Sequence, residues 1–197
     1  MSIEQHTHDS AGGDEGEGAG GNPGAGGNPG GGADAAHPRF AAALREQGLE
    51  ALLAGVRRYP DAVRTAAEAA AAVACELSQI CKSLIFAVDS EPVLVLMDGA
   101  GRVDVEAVRR ELGAQEVSRA PAALVREATG YAIGGVPPFG HRTRTRVLAD
   151  RSLLDHAVVW AAAGTPHSVF PVAPADLIAL AGATVVDVRE RAAGQGA

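Results

Sequence analysis

The stretch Lys82-Ser-Leu-Ile-Phe-Ala-Val-Asp89-Ser-Glu-Pro92-Val-Leu-Val-Leu-Met97 decides the fold. Ser83–Val88 is a run of β-forming residues, Asp89–Pro92 is a turn signal, and Val93–Met97 is a second β-rich run. Together they predict a hairpin. Upstream, Thr65-Ala-Ala-Glu68 forms a capping box ahead of an alanine-rich run, which predicts a helix ending near Cys75–Leu77. Further upstream, Pro38 opens one or two helical segments broken at Gly48, and Val56–Tyr59 is a short strand candidate before Pro60. Downstream, Asp98–Gly101 is a turn, and Asp104 is placed to cap a helix running to about Leu112. A short helix is expected over Pro121–Thr129, ended by Gly130, and a Gly/Pro/Arg-rich loop over 134–146. Val147-Leu148, Ala157–Ala161, Ser168–Val172 and Val185-Val186 are strand candidates; Pro174–Leu180 is a helix ended by Gly182. Strands and helices mix without a regular βαβ beat, so the expected class is α+β, a mixed α/β sheet rather than a doubly wound one.

The chain has 197 residues, enough for one domain or two, and 47% apolar residues, enough for a core. Its net charge of −7 is unevenly spread. Residues 1–36 hold six acidic residues, no Lys or Arg, and 12 of the 25 glycines, with GGNPG at Gly20–Gly24 and again at Gly26–Gly30. Such a segment cannot bury enough apolar surface to offset its ordering entropy. The expectation is a disordered acidic tail over 1–36 and one domain over 37–197, starting near His37–Phe40. His6 and His8 could hold a metal weakly, but a solvated tail is the simpler reading. Cys75 and Cys81 are too few for a disulfide framework and lack zinc-ligand spacing, so no metal and no cofactor is expected. No apolar run is long enough to span a bilayer, and the N-terminus does not read as a signal peptide, so the expected location is the cytoplasm. Phe86, Trp160 and Phe170 fall in strand candidates and are expected in the core.

Most familiar catalytic constellations are absent. There is no G-x-S-x-G elbow, no phosphate-binding G-x-x-x-x-G-K-[ST] loop and no zinc-deaminase pattern. His167-Ser168 and Cys81-Lys82 are adjacent in strand candidates, so their side chains point to opposite faces and make poor catalytic pairs. Four features remain. Lys82 is the only lysine beside 16 arginines, and it shares a strand face with Leu84, Phe86 and Val88. It is placed to meet an anion at a cavity rim, or else simply extends to water. Tyr131-Ala-Ile-Gly134-Gly135-Val136-Pro137-Pro138-Phe-Gly140-His141 is a stiff loop whose glycines permit close main-chain approach, or an ordinary connection. Arg142, Arg144 and Arg146 form a positive patch that could follow a phosphate backbone or could be solvated residues of an edge strand. Gly164-Thr165-Pro166-His167 delivers a histidine to a strand start, in a catalytic or a structural role.

Taken together, RTAAEAAAAVACELSQICKSLIF, EPVLVLMDGAGRVD, ATGYAIGGVPPFGH and VWAAAGTPHSVFPV resemble the YbaK / prolyl-tRNA-synthetase-associated (INS-like) editing-domain family. The similarity spans roughly Leu49 to Val188, in the family's order. It implies a largely antiparallel, barrel-like sheet flanked by helices, and an enzyme that hydrolyses the ester of a mischarged amino acid on tRNA, often tRNA for proline. It places the family's required lysine on Lys82 and its G-x-x-x-P loop on Gly134 to Pro138, so that Lys82, Gly134 and Pro138 are the expected catalytic positions. It places Ser83 in the pocket and a G-T-x-H histidine on His167. Ile133, Gly135, Val136 and Pro137 complete the expected substrate site, and Arg142, Arg144 and Arg146 are candidates for acceptor-stem contact.

An aminoacyl ester is already activated, so such an enzyme need only orient the carbonyl, stabilise the oxyanion and admit a water. That accounts for the missing triad. The expected function is a free-standing deacylase acting on a small amino acid carried by tRNA-Pro. Its partner would be aminoacyl-tRNA, with a synthetase as a candidate docking partner and neither DNA nor membrane. The alternatives are a non-catalytic tRNA- or nucleotide-binding homologue and a hydrolase of another ester or thioester.

Overall fold

The computed structural model describes residues 31–59 and 65–191. Of the tail expected over 1–36, residues 1–30, with His6 and His8, lie outside them. Gly32 already donates to the Val56 carbonyl, and Ala35 and Ala36 are buried in the core, so packing reaches a few residues ahead of His37.

Chain order alternates short helices with short strands. Helix α1 (Pro38–Glu46) and the single turn α2 (Ala51–Ala54) precede β1 (Arg57–Arg58) and α3 (Ala66–Val73). Then come β2 (Ile80–Val88), β3 (Glu91–Asp98), α4 (Val105–Leu112), β4 (Val117–Arg119) and α5 (Ala122–Thr129). The chain closes with β5 (Arg146–Asp150), β6 (Val159–Ala162), β7 (Ser168–Val172), α6 (Pro174–Ala181) and β8 (Thr184–Val186). The eight strands form one sheet in the order β1-β7-β6-β2-β3-β5-β8, with β4 pairing separately with β2. The sheet is mixed: β1/β7, β2/β3, β2/β4 and β6/β7 are antiparallel, whereas β2/β6, β3/β5 and β5/β8 are parallel. It is the mixed, helix-flanked sheet the sequence predicts. Among the described residues β1 and β8 end the path without pairing to each other.

Local chemistry explains the elements. Both halves of the Thr65/Glu68 capping box are formed: Thr65 Oγ1 accepts from the Glu68 N–H, and Glu68 accepts from the Thr65 N–H. α3 stops at Val73, earlier than expected, because Ala74 turns left-handed at φ 54°. Asp104 accepts from the Ala107 N–H to open α4, and Gly113 ends it at φ 62°. The β2/β3 turn needs only Asp89 and Ser90, both at positive φ, so Glu91 and Pro92 belong to β3 rather than to the turn. Two residues at positive φ match the right-handed strand twist of a tight hairpin. Asp89 also accepts from the N–H groups of Gln115 and Glu116, which anchors the segment leading into β4.

Strand β3 is buried on both faces. Leu94 and Leu96 join Phe40, Leu44, Phe170 and Leu177 in one cluster, while Val93, Val95 and Met97 join Phe86, Val108 and Leu148 in the other. A strand covered on both sides reads as an unbroken apolar run, as Val93–Met97 does. Phe86 and Phe170 are core residues as expected. Trp160 is not: it is half-buried and faces a cavity.

Candidate active site

Strand β2 has an incomplete edge. On the side away from β3 it pairs with β6 at Ile80 and Cys81, and with β4 at Phe86–Val88. Among the described residues Lys82 to Ile85 have no strand partner there, although the Ile85 carbonyl accepts from the Ala120 N–H. Main-chain groups alternate sides along a strand, so the N–H and C=O of Ser83 point to the same open side as those of Ile85.

A cavity of about 240 Å³ opens at this gap. Thr65, Ala66 and Ala69 of the α3 start form one wall; Ile80 to Leu84 of β2 form the floor. Ile133, Gly134 and Val136 of the Gly/Pro loop, Trp160 and Ala162 of β6, and Thr165, Pro166, Ser168 and Val169 complete it. Ser83 Oγ is buried and has no hydrogen-bond partner; of the two such oxygens among the described residues, only this one belongs to a cavity-lining residue. A buried hydroxyl left unpaired costs stability, so the fold retains here a polar group it does not itself satisfy.

Lys82 also lines the cavity. Its Nζ donates to the carbonyls of Gly99 and Gly101, leaving one of three N–H donors uncommitted. Partial burial pushes its pKa down; Asp98 opposes that, while Arg119, Arg189 and Arg102 add to it. The turn holding the lysine is itself fixed. Asp98, fully buried, accepts from the Gly101 N–H at 2.7 Å, from Ser152 Oγ at 2.6 Å and from the Arg189 guanidinium. A Cβ on Gly99 would lie 2.0 Å from the Leu77 carbonyl oxygen, so only glycine fits.

The Gly/Pro loop is braced from inside. The Tyr131 hydroxyl donates to the Gly140 carbonyl, His141 Nε2 bonds the Pro137 carbonyl at 2.8 Å, and Phe139 packs against Phe40 and Phe170. The Gly135 N–H donates to Ala132, closing a turn in which Gly134 adopts φ 87°. The two glycines differ in what they require. A Cβ on Gly134 would meet only Pro166 at 3.9 Å, so its demand is conformational. A Cβ on Gly135 would lie 2.8 Å from the Thr165 main chain, so its demand is steric.

The structure brings Lys82, Ser83, Ile133, Gly134 and Val136 to one cavity. Gly135, Pro137 and Pro138 are buried behind it and do not line it. His167 also stays off the wall; Thr165, Pro166 and Ser168 around it take that place, with Thr165 and Ser168 hydroxyls 2.7 Å apart. Nothing in the residue types distinguishes those neighbours from His167 without the turn geometry. Arg142, Arg144 and Arg146 are exposed and outside the cavity; Arg146 begins β5, an interior strand rather than an edge. Cys81 is no nucleophile, since burial, helped by the Asp98 charge, pushes its thiol up to about 12. Among the described residues no helix is long and apolar enough to cross a membrane.

Comparison with known proteins gives the family. The family model for the aminoacyl-tRNA editing domain matches residues 60–180. The chain belongs to that family, and is a hydrolase of aminoacyl-tRNA esters. It is 31% identical over 123 residues to YwhH of Bacillus subtilis (strain 168), covering 62% of this chain and 78% of that one. It is 32% identical over 94 residues to a proline--tRNA ligase of Streptococcus equi subsp. equi (strain 4047), covering 48% of this chain but only 15% of the ligase. A crystal structure described as a candidate trans-editing enzyme for prolyl-tRNA synthetase superposes with a TM-score of 0.73 at 42% identity, covering 78% of this chain and 96% of that one.

Proposed function

We propose that the chain removes a small mischarged amino acid from tRNA, with tRNA-Pro as the carrier. The observation that carries this reading is the convergence of Lys82, Ser83 and the Gly134 turn on one cavity of about 240 Å³. That is below the usual size of pockets for drug-sized ligands and suits an aminoacyl group. Its mainly apolar wall, from Ala66, Ala69, Ile133, Val136 and Ala162, favours a short side chain and excludes a long one. The likeness to proline--tRNA ligases and to a candidate trans-editing enzyme supports the choice of tRNA.

In this reading the ester carbonyl lies between the Gly134 turn and Lys82. The uncommitted N–H of Lys82 stabilises the oxyanion that forms when water attacks the carbonyl carbon. The bond between that carbon and the ribose oxygen then breaks. The proton from water passes to the ribose oxygen, giving free amino acid and intact tRNA. Among the described residues no carboxylate or imidazole lines the cavity, so the substrate supplies the proton acceptor, through its neighbouring ribose hydroxyl or its amino group. Ser83 Oγ and the open main-chain edge at Ser83 supply the polar contacts that orient the aminoacyl group. Gly135, Pro137 and Pro138 act from behind by holding the turn. The test is deacylation of Ala, Cys, Ser, Thr and Pro esters of tRNA-Pro: one small ester hydrolysed fast supports the reading, and equal inactivity on all opposes it.

A further inference from the structure

A second cavity of about 510 Å³ lies beside the first, and the two share Lys82 and Leu84. It opens on the face that Leu84 and Phe86 share by strand alternation, and Arg119, paired with Phe86, lies on the same face. Its rim carries Arg102 and Arg119, both exposed, and neither guanidinium has a hydrogen bond or ion pair among the described residues. One carboxylate, Glu190, also lines it; nearby Arg189 is engaged with Asp98. With Lys82, the groove therefore presents three cations against one unpaired carboxylate. All of these positive charges are near enough to Lys82 to depress its pKa, so an anion seated among them would relieve their mutual repulsion.

We propose that this groove binds the phosphates of the tRNA 3′ strand next to the scissile ester, with Arg102 and Arg119 as the phosphate contacts. The inference rests on the deacylase reading and adds the path of the nucleic acid. The aminoacyl group enters the smaller cavity, the ester crosses the open edge of β2 at Lys82, and the strand runs along Arg102 and Arg119. Arg142, Arg144 and Arg146 offer a poorer path. They line neither this groove nor the smaller cavity, whereas Arg102 and Arg119 line the groove that shares Lys82.

The test is equilibrium binding of uncharged tRNA to the full chain over a salt series, for the wild type, for R102Q/R119Q and for R142Q/R144Q/R146Q. Each single-strand phosphate contact contributes about 0.7 to the slope of log affinity against log salt. The expected result for R102Q/R119Q is affinity lowered by about tenfold or more at low salt and a slope shallower by about 1.4, with the thermal midpoint unchanged. A slope and affinity equal to wild type in R102Q/R119Q, with the loss falling on the Arg142 variant instead, would overturn the proposal. A wild type that fails to bind tRNA also overturns it. Groove-dependent binding without hydrolysis of any ester would sustain the groove and remove the deacylase reading instead.

Discussion

The side-chain ammonium of Lys82 is held by the main-chain carbonyl of Gly101, 19 residues further along the chain and across the β2/β3 pair. A lysine fixed on two carbonyls of a tight turn is already oriented before substrate arrives, and costs no reorganisation when charge develops beside it. Lys82→Ala should lower kcat for the preferred ester by about 10²–10³, the scale of removing one preorganised stabilising donor. Lys82→Arg should not restore it, because a planar guanidinium cannot repeat a compact ammonium between two carbonyls. Single-turnover deacylation checks both; an active Arg variant would show that charge alone suffices.

Asp98 should act through that turn. Asp98→Asn keeps the volume but disturbs acceptance from Gly101, Ser152 and Arg189 in a fully buried site. The expected loss is about 1–3 kcal/mol of stability. It should also lower kcat more than it raises KM, since Lys82 is mispositioned rather than removed. Denaturant unfolding together with steady-state kinetics separates the two effects. Destabilisation with kcat intact would leave Asp98 structural only.

Gly134 and Gly135 should fail differently. Gly135→Ala forces a methyl against the Thr165 main chain and should cost about 1–3 kcal/mol, the range for overpacking. Gly134→Ala has open space but keeps φ at 87°, so its cost should be about 1–2 kcal/mol and arise from the left-handed backbone. Gly134→Val should abolish turnover. Thermal unfolding of the two alanine variants gives the order; equal costs would mean the Thr165 contact yields easily.

Ser83→Ala should leave stability within about 0.5 kcal/mol, or raise it slightly, because Ser83 Oγ has no partner to lose. KM for the aminoacyl ester should rise instead. A clear loss of stability would reveal that the hydroxyl is satisfied within the fold.

Stability should fall on mild acidification. Burial holds His141, on the Pro137 carbonyl, below the ordinary histidine pKa of 6.5, and burial followed by Arg39 does the same for His37. The unfolded chain therefore binds more protons just below pH 6.5, and stability rises with pH in that window. It should be complete above pH 6.5 and decline as pH drops through the lowered folded values. His141→Asn should flatten the decline between pH 7 and 5. An unchanged slope in that variant would assign it elsewhere.

Much of this was readable from local chemistry. Thr65 with Glu68, Asp104, and Pro174 with Gly182 mark helix ends within a few residues, and the elements stand where those signals put them. The hairpin was legible because Val93–Met97 is unmistakably buried sheet. β4 was not: Val117–Arg119 carries no pattern of its own and is a strand because Phe86–Val88 offers it an edge. The 3₁₀ turn Arg151–Asp155 was likewise invisible, although it delivers Ser152 to Asp98. Lys82 stood out by its rarity, and the Gly/Pro loop by its composition. The carbonyl cradle, the orphan Ser83 hydroxyl and the Arg102–Arg119 groove depend on residues brought together only by tertiary pairing.

The most direct measurement is deacylation of Ala, Cys, Ser, Thr and Pro esters of tRNA-Pro, each also on its own tRNA, by the wild type and Lys82→Ala side by side. The expected result is lysine-dependent hydrolysis of one small mischarged ester on tRNA-Pro. Hydrolysis that persists in Lys82→Ala, or no hydrolysis of any ester by the wild type, would contradict it.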